Sequence, residues 1–254
     1  MTQTIQAIEL REFGAPENMH LISKPLPEPL AGEVRIRLKA VGLNMADTYQ
    51  RTGLYPLPLP TGLGAEGAGT VEAVGEGVDI PLGTRVAFSM AFGAYAEAIV
   101  LPATAVVLLP DGVSDEQAAA IMLKGMTVDY LFNDTFPLHG SETVLFHAAA
   151  GGVGLIACQW AKHLGVTLIG TASTKAKCDL AIAHGAAQCF LSDDPELAEK
   201  LKQASGGQGF PVVYDSVGHS TYRLSLEALA PFGTFASFGN ASGPIASIVP
   251  AELA

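Results

Sequence analysis

The chain has 254 residues, of which 49% are apolar and 15% charged, with a formal net charge of −11. That length exceeds one typical domain and supplies apolar residues for two cores. The acidic balance, without a basic run or an aromatic–basic stripe, argues against nucleic acid as principal partner.

No apolar run reaches bilayer-spanning length, and the opening MTQTIQAIELREFG lacks a basic segment followed by an apolar one. The three cysteines, Cys158, Cys178 and Cys189, show neither metal-ligand spacing nor a CxxC pair, and their odd number argues against a disulfide framework. A cytoplasmic location is the expectation.

Up to about Asp115, short apolar stretches such as Glu33–Val41, Gly69–Val74 and Arg85–Ser89 alternate with Gly/Pro-rich turns. They predict an irregular, mostly β region. At Ser114 the texture changes to SDEQAAAIMLKGMTVDYLF, a helical pattern with Ser114 as N-cap and Gln117 at the capping-box position. This helix is expected to carry the chain from one domain to the next.

The segment Thr143–Gly165 then presents an apolar run, a small-residue turn and a helix-period stretch. Its turn reads Ala149-x-Gly151-x-x-Gly154, the pattern of a dinucleotide-binding fold with Ala at the first glycine position. Ala149 suits a tight turn, Gly151 admits a pyrophosphate to the backbone, and Gly154 lets helix pack on strand. A helix opening near Gly152 directs its N–H groups and positive dipole end at an anion. Beyond it, strands Val166–Gly170, Ala187–Leu191, Pro211–Ser216 and Gly233–Phe238 alternate with helices Thr174–His184, Pro195–Ser205 and Ser220–Leu229. Such alternation predicts a parallel, doubly wound sheet and an α/β fold.

The blocks VGLNMADTYQRTGLYP from Val41, LPTGLGAEGAGTVEAVGEGV from Leu59 and GAYAEAIV from Gly93 match a known family. So do FHAAAGGVGLIACQWAKHLG from Phe146, VVYDSVG from Val212 and SFGNASG from Ser237. The chain resembles the zinc-independent, zeta-crystallin-like quinone oxidoreductases of the medium-chain dehydrogenase/reductase superfamily. The resemblance implies a GroES-like β domain over 1–123, a Rossmann domain over 124–254, and an active site in the cleft between them.

Zinc relatives in the superfamily carry Gly-His-Glu where this chain has Gly64-Ala65-Glu66, and their first catalytic Cys falls near Asn44. The four-Cys structural lobe is absent as well. A catalytic zinc needs about three protein ligands, so no metal is expected, and His147 and His163 read as structural. Without metal, the chemistry implied is hydride transfer from a reduced nicotinamide to a strongly electron-accepting substrate. Quinones fit, by net one- or two-electron reduction; conjugated enones and alkenals are the alternative. A non-catalytic, crystallin-type NADPH-binding protein is a second class of reading.

An NAD site usually places an acidic residue after the second strand. Here Ser173, Thr174, Lys175 and Lys177 occupy that stretch, and no acid precedes Asp179. Hydroxyls and lysines suit a 2′-phosphate, and the family implies NADPH with Lys177 on the phosphate. Ser192 stands where many relatives have Tyr, which removes a stacking partner for the adenine end. By the same resemblance, Met45, Ala46 and Asp47 form a loop on the nicotinamide side, while Lys124, Thr127 and Tyr130 face the cofactor from the crossover helix. Gly152 and Val153 meet the pyrophosphate, Val217 packs on the nicotinamide ring, and Gly239, Asn240, Ala241 and Ser242 form the loop after the fifth strand. Asn44 and Tyr49 are the candidates nearest the chemistry, with Tyr49 either orienting a quinone or packing within its domain.

Family members continue for several dozen residues past Ala254, through a sixth Rossmann strand. The expectation is therefore a shortened chain of lower stability, in which the family homodimer is doubtful.

Overall fold

The computed structural model describes residues 3–249. The described chain divides into two units, one up to Leu123 and one from Lys124 onward.

The first unit is built on antiparallel pairing. Strands β1 (Thr4–Leu10), β2 (Met19–Pro25), β3 (Glu33–Val41), β4 (Thr61–Gly62), β5 (Glu66–Val74), β6 (Arg85–Ser89), β7 (Ala98–Pro102) and β8 (Val106–Leu108) form two sheets. Their orders are β2-β1-β4 and β7-β3-β5-β6-β8. Alternation along β3 turns Val34 and Ile36 inward, where they meet Val71, Val86, Phe88 and Ile99 in one core.

Helix α1 (Met45–Thr52) lies between β3 and β4. This corrects the loop expected for Met45, Ala46 and Asp47, and Tyr49 lies on the same helix. The local signals were those of a helix: Asn44 stands at the N-cap, Asp47 three residues later, and Gly53 ends the helix in the left-handed region at φ 80°. The periodicity is too short to announce it.

Helix α2 (Asp115–Tyr130) begins with the expected capping box. The Ser114 N–H donates to Gln117 Oε1 at 2.9 Å, and the Gln117 N–H donates to Ser114 Oγ at 3.1 Å. The helix passes through the boundary between the units.

In the second unit, β9 (Thr143–Phe146), α3 (Gly152–Leu164), β10 (Thr167–Ala172), α4 (Lys175–Ala183) and β11 (Gln188–Leu191) are followed by α5 (Leu197–Ala204), β12 (Phe210–Asp215), α6 (Tyr222–Glu227) and β13 (Leu229–Ser237). The five strands run parallel in the order β11-β10-β9-β12-β13. The central strand is apolar on both faces. Val144 and Phe146 join a core with Ala157 and Ala161 of α3, whereas Leu145 joins Leu197 and Leu201 of α5. That is why β9 reads as an unbroken apolar run rather than an alternating one.

One element departs from expectation. The helix expected over Ser220–Leu229 ends at Glu227, and Leu229 opens β13. The Phe210 N–H donates to the Ala228 carbonyl at 2.8 Å, and Leu229 pairs with Phe210 before a register shift to Thr234. Pro231, which has no N–H, and Phe232 at φ 64° absorb that shift. No helix of the described residues is long and apolar enough to cross a membrane.

Candidate functional site: a dinucleotide cradle and a buried carboxylate network

In the second unit, the strand order reverses between β9 and β12, and ligands of open parallel sheets sit at the carboxyl ends of strands beside such a point. A cavity of about 330 Å³ opens there. Five of the residues expected at the cofactor line it: Gly151, Ser173, Lys177, Ser192 and Val217. Ala148, Ala150, Thr171, Ala172, Ser220 and Thr221 complete the wall and went unread in the sequence, because nothing local marks them.

The turn between β9 and α3 is held by backbone. The Ala149 N–H donates to the Thr171 carbonyl at 3.0 Å, the Gly151 N–H donates to the Ala148 carbonyl at 2.8 Å, and Ala148 sits at φ 54°. Gly154 is compressed: a Cβ there would lie 2.5 Å from the Ala149 oxygen and 2.6 Å from that of Ala148. Gly152 has a different reason to be glycine, since a Cβ would meet the Lys124 methylenes at 2.9 Å. Val153 turns its side chain into the core, leaving only its backbone for a ligand. The N-cap Gly151 makes no side-chain cap bond, so the first-turn N–H groups of α3 have no side-chain cap to satisfy them.

The two lysines after β10 divide. Lys175 pairs with Asp179 on the exposed face of α4, whereas Lys177 Nζ donates to Ser173 Oγ at 3.1 Å beside the cavity. Thr174 is the N-cap of α4, its hydroxyl accepting from the Lys177 N–H at 3.3 Å. Ser192 is tied to the end of β10 by its N–H on the Ala172 carbonyl at 2.9 Å.

On the other side, Asp215 organises a loop cluster the sequence did not reveal. Its buried carboxylate accepts from the Val217 and Gly218 N–H groups at 2.8 and 3.0 Å, from Thr221 Oγ1 and, at 2.7 Å, from Ser225 Oγ. Val217 is in turn stitched to the loop after β13, because the Ser242 N–H and hydroxyl both donate to its carbonyl at 2.8 Å. The Ala241 N–H reaches the Ser216 carbonyl at 3.1 Å, and Gly239 is pressed onto that residue. Asn240 lies within the same loop. Thus Val217 and Gly239–Ser242, distant in sequence, form one surface.

His147 is structural in position. It is buried, with Nδ1 2.8 Å from Thr171 Oγ1, and burial holds its ring below the usual imidazole range against the pull of the Asp215 charge. Burial also pushes the Cys158 thiol up to about 11. Among the described residues, no group of three or more His, Cys, Asp or Glu could hold a metal ion.

In the first unit, α1 is anchored by side chains. Asp47 Oδ2 accepts from the Asn44 N–H at 2.7 Å and from the Tyr95 hydroxyl at 2.7 Å. Burial, and next the bond to Asp47, push the Tyr95 phenol above its ordinary range. Asn44 Nδ2 donates to Glu66 Oε1 at 2.9 Å, and the Leu123 N–H donates to Glu66 Oε2 at 2.7 Å. Met45 is half exposed, whereas Tyr49 is 7% exposed and meets Tyr55 edge-on at 5.1 Å. Lys124, Thr127 and Tyr130 follow on the second-unit part of α2.

Residues 30–111 match the alcohol dehydrogenase GroES-like domain family, and residues 152–253 match the zinc-binding dehydrogenase family. A quinone oxidoreductase of Pseudomonas aeruginosa is 51% identical over 244 residues, which are 95% of this chain and 75% of that protein. The chain belongs to the quinone oxidoreductase family. Solved structures of the family agree. The quinone oxidoreductase of Pseudomonas syringae superimposes with a TM-score of 0.95 at 47% identity, over 98% of this chain and 78% of that one. The Escherichia coli quinone oxidoreductase, crystallised with NADPH, gives a TM-score of 0.95 at 45% identity, over 98% and 77%. The GroES-like and Rossmann folds implied by the sequence blocks are therefore those of the chain.

Proposed function

We propose that this protein reduces quinones with NADPH, without a metal. The observation that carries this reading is the cavity at the carboxyl ends of the parallel strands, where the Lys177 ammonium and the Ser173 hydroxyl stand together in place of the acidic residue an NAD site would present. The donor set fits NADPH: a lysine and hydroxyls for the 2′-phosphate, and the uncapped start of α3 at Gly151, Gly152 and Val153 for the pyrophosphate.

When bound, NADPH supplies a hydride; the protein supplies orientation and a dry environment. We assign Ser173, Thr174, Lys177 and Ser192 to the adenosine end. Val217 and the Gly239–Ser242 loop set the position of the nicotinamide end. By the family resemblance, Asn44, Met45, Ala46, Asp47, Lys124, Thr127 and Tyr130 are assigned to the same end. A quinone needs little electrophilic help, so the residues near the reacting atoms act by placement rather than as a dedicated acid.

The test is a titration with NADPH and NADH, read by fluorescence of the sole tryptophan, Trp160 on α3, followed by NADPH consumption with a quinone. Tight NADPH binding, weak NADH binding and catalytic turnover are expected. Lys177→Ala is expected to weaken NADPH by about 10- to 100-fold, the worth of one charge-assisted bond, and to leave NADH nearly unchanged. Saturable NADPH binding without turnover would instead make this a non-catalytic binding protein.

A further inference from the structure

Glu66 opens β5 and is fully buried, yet a carboxylate is an expensive group to bury without a purpose for its charge. Its two oxygens point to two different elements. Oε1 accepts from the Asn44 side chain at the N-cap of α1, and Oε2 accepts from the backbone N–H of Leu123 in the interior of α2. Within α2 the Leu123 amide faces the Ala119 carbonyl, and the Glu66 carboxylate enters beside that turn to accept from the same N–H. The entry is made room for by Gly42. A Cβ at that position would lie 2.1 Å from Glu66 Oε1 and 2.4 Å from the Ala119 oxygen, so only glycine lets carboxylate and helix backbone meet.

Resting on the NADPH reading above, we propose that Glu66 is a positioning residue for hydride transfer: its carboxylate bridges the Asn44 side chain and the Leu123 amide, fixing the start of α1 against the first-unit part of α2. Both ends of the bridge adjoin residues assigned to the nicotinamide end, Met45 to Asp47 after Asn44 and Lys124 after Leu123. The adenosine end has no share in it. Glu66 therefore governs how well the reacting atoms are placed and leaves cofactor affinity to Ser173 and Lys177.

The conservative variant is Glu66→Gln, which keeps volume but has one acceptor and one donor. With its oxygen on the Leu123 amide, its NH₂ faces the Asn44 NH₂, and one arm is lost. Expected for Glu66→Gln is a kcat with quinone lowered about tenfold or more, since misplacement by an ångström can cost about a hundredfold. The KM for NADPH is expected to change less than about threefold, following the rule that loss confined to the transition state spares KM. The double variant Asn44→Asp/Glu66→Gln restores an acceptor opposite that NH₂ and is expected to return the Asp47 amide to near wild-type hydrogen exchange. An unchanged kcat in Glu66→Gln, or a double variant whose Asp47 amide exchanges no slower than in the single one, would overturn the proposal.

Amide hydrogen exchange on the cofactor-free protein tests the bridge itself. In Glu66→Gln the amides of Asp47 and Leu123 should both exchange faster while those of Ser173 to Lys177 do not. In Asn44→Ala, which removes the same arm from its other end together with the Asn44 cap on the Asp47 amide, Leu123 should still exchange faster. Loosening of one segment alone would overturn the bridge. If the wild-type protein fails to consume NADPH, the functional reading falls, and these exchange patterns alone decide the bridge.

Discussion

The phosphate turn of the second unit and the α1 anchor of the first are built from different materials. The turn is backbone against backbone: Gly154 lies five residues from Ala149 and meets its carbonyl because no side chain intervenes. The anchor is made by side chains reaching across long separations, two to other side chains and one to a backbone amide. Asn44 and Glu66 are 22 residues apart, Asp47 and Tyr95 are 48, and Glu66 and Leu123 are 57. A backbone site tolerates chemical variety and fails on volume. A side-chain network fails also on a lost donor or acceptor.

The largest effect should come from adding bulk to the turn. Gly154→Val places carbon well inside the contact distance of two carbonyl oxygens, and such overpacking costs about 1–3 kcal/mol or more. Chemical unfolding should show that loss in the second unit, and NADPH binding should disappear; retained binding would mean the helix can slide on its strand. Next is Tyr95→Phe, which takes one donor from Asp47 Oδ2 and should cost about 1–2 kcal/mol with NADPH affinity held within about twofold. A tenfold loss of affinity there would break the distinction, since the anchor would then govern the cofactor's adenosine end as well.

The smallest effect concerns acid. His147 is held neutral by burial, so its folded pKa lies below the unfolded value of about 6.5. Its contribution is complete above that value and is lost as the pH falls below it toward the folded pKa. At pH 5.5 the loss is up to about 1.4 kcal/mol, or up to about 3–6 °C in Tm for a protein of this size. His147→Asn should shrink the Tm difference between pH 7.5 and 5.5 by that amount, and an unchanged difference would place the acid sensitivity elsewhere.

What the chain disclosed by itself follows the same division. Strand β9, the turn at Ala149–Gly154, helix α3 and the capping box of α2 are each specified within a few consecutive residues, so they were legible. So was the contrast between a lysine-and-hydroxyl stretch after β10 and the acid of an NAD site. Helix α1 was not, since its eight residues carry caps but too few turns to show a period. Glu66 read only as the residue after a missing imidazole; its partners lie on a helix end and on a helix interior that only folding brings to it. Asp215 was equally silent, because the cluster it organises joins the loops after β12 and β13. Local backbone chemistry was therefore determined by the sequence, through propensities and small residues acting over single turns. The pairing of a buried carboxylate with its donors was decided by tertiary structure, because a lone polar residue does not specify which distant group will satisfy it.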